Sequence, residues 1–126
     1  EKKLKKRKMG KPAVIKINDQ YKGDTYDGIQ FTILNTEDNS PIDLTGVSIR
    51  SQFRYDSKIG GIQKEITNGN GITIDDAVNG VFSIDSFIID WSPDIYYFDV
   101  QITFSNGIVR TYIQGTIKVI QDITNG

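Results

Sequence analysis

Residues 94–124 read DIYYFDVQITFSNGIVRTYIQGTIKVIQDIT, and two runs of alternating apolar and polar residues meet there at Asn106-Gly107. Period-two alternation marks a half-buried strand. Asn-Gly between two such runs favours a two-residue type I′ hairpin, because both central positions need positive φ. The expected register sets Ser105 against Ile108, hence Phe104 against Val109, Ile102 against Thr111, Val100 against Ile113, Phe98 against Gly115 and Tyr96 against Ile117. One face is then nearly all apolar, and the other carries Thr103 with Arg110, Gln101 with Tyr112 and Asp99 with Gln114. A slip of one residue would scramble both faces. Turn chemistry and hydrophobic pattern therefore agree on one register. Gly115 opposite Phe98 leaves room for that ring.

Outward from this hairpin the pattern stays β. Alternating or apolar runs occupy residues 13–18, 28–34, 47–55, 62–67, 72–75 and 81–87. Between them stand turn formers: Gly23-Asp24, Asn39-Ser40-Pro41, Gly60-Gly61, Asn68-Gly69-Asn70-Gly71, Asn79-Gly80 and Ser92-Pro93-Asp94. No stretch sustains a helical apolar period. Strands recurring about every ten residues predict an all-β sandwich or barrel. Lys16 and Lys64 interrupt otherwise apolar runs and read as guards on edge strands.

At 126 residues the chain is one domain, long enough to bury about two-thirds of its unfolded surface around a single core. It has no cysteine and no histidine. A disulfide framework, a thiolate zinc site and a Ser-His-Asp or Cys-His centre are therefore impossible within it. No apolar run approaches the roughly 18 residues of a membrane helix. What remains is a soluble domain that binds or builds, or an enzyme restricted to carboxylates, lysines or oxygen-ligated metal.

The net charge of −1 hides an asymmetry. Residues 1–12 hold Lys2, Lys3, Lys5, Lys6, Arg7, Lys8 and Lys11 against Glu1, a net of +6, and the rest of the chain carries −7. The first segment has no apolar period and repels itself, so residues 1–12 are expected as a flexible basic arm and residues 13–124 as the β-sandwich domain. The chain opens on Glu1 rather than Met, and Met9 offers an internal start.

The order of motifs along residues 13–124 carries a resemblance. PIDLTG (41–46) precedes a strand ending QFRYD (52–56). ITID (72–75) and NGVFSID (79–85) follow, and the hairpin segment 94–124 closes the series. This order resembles the small immunoglobulin-like domains of tailed-phage virions, above all the N-terminal domain of phage baseplate upper proteins and related tail or head accessory proteins. The resemblance implies an immunoglobulin-like antiparallel β-sandwich of about seven to nine strands. It also implies a non-enzymatic structural role in a virion, in the baseplate, tail or capsid surface, with other virion proteins as partners in a multi-copy assembly. The basic arm lies outside the resemblance.

Three kinds of chemistry stand beside plainer readings. Asp75, Asp76 and Asp85 offer oxygen ligands of the type calcium takes, but without EF-hand spacing, and acidic turns are common without metal. Asp90, Asp94 and Asp99 around Trp91 suggest a glycosidase pair, yet they read better as turn residues and a solvated strand face. Trp91, Tyr96, Tyr97 and Tyr112 suggest a sugar-stacking platform. Tyr96 points to the core, however, and Tyr97 and Tyr112 lie roughly 14 Å apart along a strand pair. Trp91 is the one residue kept as a possible glycan contact, for the alternative of a carbohydrate-binding module adhering to host glycans. No catalytic residue, metal or cofactor is expected. The basic residues Lys2, Lys3, Lys5, Lys6, Arg7, Lys8 and Lys11 have two readings of equal weight, contacts to an acidic neighbouring subunit or a solvated tail or cloning remnant. Nucleic acid is disfavoured because the arm has no interleaved aromatics, and no membrane partner is expected.

Overall fold

The computed structural model describes residues 12–35, 37–55 and 60–121, together with the backbone of residues 2–5. Among these residues there are eleven strands and no helix: β1 (Lys2–Lys5), β2 (Ala13–Tyr21), β3 (Thr25–Tyr26), β4 (Ile29–Leu34), β5 (Ser48–Tyr55), β6 (Ile62–Asn68), β7 (Gly71–Asp76), β8 (Val81–Ile84), β9 (Phe87–Ile88), β10 (Asp94–Thr103) and β11 (Val109–Ile120). Nine of them follow one another in the order β1-β4-β8-β7-β6-β5-β10-β11-β2, and β3 pairs with β9 in a short ribbon.

The link between β6 and β7 is two register pairs long, Thr67 with Gly71 and Asn68 with Ile72. There the sheet folds over, leaving a layer β1-β4-β8-β7 against a layer β6-β5-β10-β11-β2. The first layer has the immunoglobulin order A-B-E-D, and β5-β10-β11 has the order C-F-G. The fold is an immunoglobulin-like β-sandwich. Three pairs depart from the antiparallel rule: at the edges β2 runs parallel to β11 and β1 parallel to β4, and the short β6–β7 link is parallel as well.

One core fills the space between the layers. Phe31, Ile33, Phe82, Ile84 and Ile72 come from one side, and Ile49, Phe53, Phe98, Val100, Ile102, Ile113 and Ile117 from the other. The PIDLTG segment closes one end. Asp43 accepts the backbone N–H and the hydroxyl of Thr45, at 2.9 and 2.6 Å. This turn delivers Leu44 into the core, fully buried, with its N–H donating to the Ala77 carbonyl. At another corner the Tyr96 hydroxyl donates to the Ser92 carbonyl at 2.6 Å. That contact is the tyrosine corner of immunoglobulin-like sandwiches, at the start of the strand in the F position.

The β10–β11 hairpin keeps the expected register from Tyr96–Ile117 to Val100–Ile113 and departs from it nearer the turn. The loop has three residues, not two. The Phe104 and Ile108 backbones pair, Gly107 N–H donates to the Phe104 carbonyl, and Gly107 takes φ 88°. This is a type I turn followed by a left-handed glycine, and it shifts the pairing by one. Ile102 therefore faces Arg110, and Thr103 faces Val109. A bulge at Tyr112 restores the register, since Val100 faces Ile113 while Gln101 faces Thr111. Its consequence is that Tyr112, expected on the polar face, is buried beside Ile113 and meets Phe104 edge-on at 6.4 Å.

Candidate functional site

The basic segment is the first place to look. Lys2, Lys3 and Lys5 are not in a free arm: they belong to β1, in parallel register with β4, Lys2 opposite Phe31, Lys3 opposite Thr32, Leu4 opposite Ile33 and Lys5 opposite Leu34. This corrects the expectation of a flexible arm for those residues. The physical reason is that β8 occupies one edge of β4, and an open opposite edge is a template for any strand within reach. Lys6, Arg7, Lys8 and Lys11 lie outside the described residues. Thr32 alternates away from the core with Phe31 and Ile33, yet it is buried, opposite Lys3.

Lys16 falls where the sequence reading put it, on an edge strand; Lys64 does not, because β6 is paired on both sides, by β5 and by β7. Lys16 is on β2, whose register runs to β11 alone, at the end of the sheet. Lys64 is opposite Phe53 on β6, in the part of that strand that β7 does not reach. Its ammonium lies 4.9 Å over the Phe87 ring. That half-buried charge covers the ring as a cation–π contact.

Trp91 must be corrected as a glycan contact. It is 6 % exposed and packs against Tyr96, Phe53 and Phe87, with ring centroids 4.9, 5.4 and 5.7 Å away. Neither of its faces is free for a sugar. Tyr96 is buried, Tyr112 is buried by the bulge, and Tyr97 stands half-exposed on the opposite side of the sheet from Tyr96. The tyrosines do not form a platform.

The acidic residues are held singly. Asp75 accepts from Gln30 at 3.2 Å and from the Ser83 hydroxyl, Asp85 from the Thr73 hydroxyl at 2.8 Å, and Asp76 from Asn79 at 2.8 Å. Asp90 pairs with Lys22 at 3.0 Å, and Asp94 accepts the N–H of Ile95. Among the described residues, no group of three potential metal ligands forms. The carboxyls of Asp38 and Asp43 are held below the usual range by hydrogen bonds from Ser40 and Thr45. These are turn contacts, not catalytic ones. The Tyr26 hydroxyl is pushed up to about 12 by burial and by Asp27.

The solvent side of the larger layer is a polar ladder. Arg50 donates to Gln101 at 2.9 Å, and Arg54 donates to Gln52 and to the Gly60 carbonyl, both at 2.7 Å. A depression of about 80 Å³ lies among Gln52, Arg54, Tyr97, Asp99 and Gln114. The larger hollows are open ones at the edges and ends of the sandwich, such as that of about 420 Å³ beside Asp43, Ile108, Arg110 and Tyr112. The edge formed by β1 and β4 is the feature best suited to contact.

No family model and no curated protein matches the chain. Among solved structures it is similar to Drosophila OTK, extracellular domains 3-5, at 17 % identity and a TM-score of 0.33, over 90 % of this chain and 34 % of that one. The chain spans about a third of that structure, and at this score the likeness carries no argument about function.

Proposed function

We propose that this chain is a non-enzymatic structural component of a bacteriophage virion, a baseplate, tail or capsid accessory protein that docks on repeated neighbouring subunits. The order of motifs over residues 13–124 supports the virion assignment. The observation that carries the docking is β1, a basic strand added to the open edge of β4. Backbone pairing at a sheet edge gives affinity without a catalytic group or a deep pocket. It suits a protein whose neighbours are many and identical.

The test is immunogold labelling of purified phage particles with antibody raised against the folded domain, with mass spectrometry of the same particles. Label at one fixed place, with the chain present in constant ratio to the major capsid protein, is the expected result. Particles free of the chain overturn the reading.

A further inference from the structure

The register of β1 runs to β4 alone, from Lys2 opposite Phe31 to Lys5 opposite Leu34. A short strand makes few ladder bonds and must order its own backbone to make them, so it is held weakly. When it leaves, the backbone groups of β4 that faced it turn to solvent, while those of Ile33 stay bonded to the Gly80 carbonyl and the Ile42 N–H on the other side, and such an edge accepts any strand of suitable register. Every copy of this chain offers the same strand and the same edge. Residues 6–12 join β1 to β2, and fully extended they span about 25 Å, enough to reach a copy packed alongside. Charge favours the same contact: residues 1–12 carry a net +6 and the remainder −7, so the basic segment of one copy is attracted to the body of the next.

We infer that, in an assembly, β1 pairs with β4 of a neighbouring copy in this same parallel register, so that strand exchange ties one copy to the next. The inference rests on the docking reading above and names its partner, a second copy of this chain. Exchange preserves the β1–β4 pairing and changes only which chain supplies the strand, which makes it a low-cost route to association. The high local concentration within a particle favours it further.

The chain has no cysteine, so the pairing can be trapped at register partners. Full-length K3C and T32C chains are mixed at about 1 mM, an effective concentration typical of tethered partners, and oxidised gently. K3C/T32C double-variant chains are oxidised alone at high dilution. Because Thr32 is buried, K5C and L34C serve as a second pair. Exchange predicts a covalent dimer from the mixed single variants, with the cross-linked peptide joining residue 3 to 32 or 5 to 34. It also predicts at least a tenfold fall in yield when residues 6–12 are kept but the variant on β1 is moved to Lys11→Cys. Closure within one chain by the double variants, with no dimer from the mixtures, overturns exchange and leaves β1 as a strand of its own domain. Absence of both products overturns the register itself. Either failure leaves the particle-labelling experiment to decide the virion reading independently.

Discussion

Gly115 on β11 is seated against the ring of Phe98 on β10: a Cβ there would lie 2.6 Å from Phe98 Cε1 and 2.7 Å from the Ile15 carbonyl oxygen. Strands β10 and β11 and the edge strand β2 are thus drawn together around one missing side chain. Replacing Gly115 by Ala should cost about 1–3 kcal/mol, the usual penalty for overpacking. Urea denaturation measures it. Phe98→Leu should recover part of the loss in the double variant, though not all, because the Ile15 carbonyl is backbone and cannot yield. An unchanged or raised midpoint for G115A would contradict the packing.

Tyr96→Phe removes the hydroxyl that donates to the Ser92 carbonyl. Ser92 is exposed, so water can replace the lost donor and the cost should stay near 1 kcal/mol. The denaturation slope should be unchanged, since the core is intact. A loss beyond about 3 kcal/mol would mean that this corner holds more of the fold than one hydrogen bond explains.

Trp91→Ala should lower stability by about 3–5 kcal/mol, as for other buried aromatic truncations. Trp91→Phe should cost less, because Phe53, Phe87 and Tyr96 still surround the site. Chemical denaturation followed by far-UV circular dichroism reads both variants. Wild-type stability in W91A would show that the ring is not part of the core.

Ser51 is fully buried on β5, and its hydroxyl has no hydrogen-bond partner among the described residues. Burying an unsatisfied polar group costs roughly 1–3 kcal/mol. Ser51→Ala should therefore raise the midpoint, by about 1 kcal/mol once the small loss of packing is set against the gain. A clear fall would mean that the hydroxyl is satisfied by an internal water.

The raised pKa of Tyr26, about 12 against an ordinary 10.0 with burial as the main cause, makes folding depend on pH in the alkaline range. Its neutral form is favoured in the folded state. That stability is fully present below pH 10 and is lost as pH rises from the unfolded pKa through the folded one. Wild-type stability should fall between about pH 10 and 12, and Tyr26→Phe should flatten that part of the curve. Tyrosinate absorbance and denaturation at stepped pH test this together. An equally steep decline in Y26F would assign it to other groups.

By itself the sequence determined what is local. Alternation placed the strand starts within a residue, although β2 runs three residues past the expected 13–18 and β8 stops three short of 87, and the pairing of Tyr96–Val100 with Ile113–Ile117 followed from pattern alone. Gly115 was legible as the space for Phe98, since cross-strand neighbours follow directly from a register. Lys16 was legible as an edge guard, because a charge inside an apolar run has few other places to go; Lys64 was misplaced by the same rule, because its strand gains β7 as a second neighbour only where the sheet folds over. Tertiary structure decided what depends on partners distant in sequence. A third loop residue at Asn106-Gly107 is compensated by a bulge at Tyr112, and only the core beneath determines whether that ring turns inward. Trp91 met Phe53 and Phe87 because two layers closed over it, which no window of sequence around Trp91 contains. The strand at Lys2–Lys5 has no alternation to announce it. It forms because β4 presents an open edge, and an edge exists only once the rest of the sheet has been assembled.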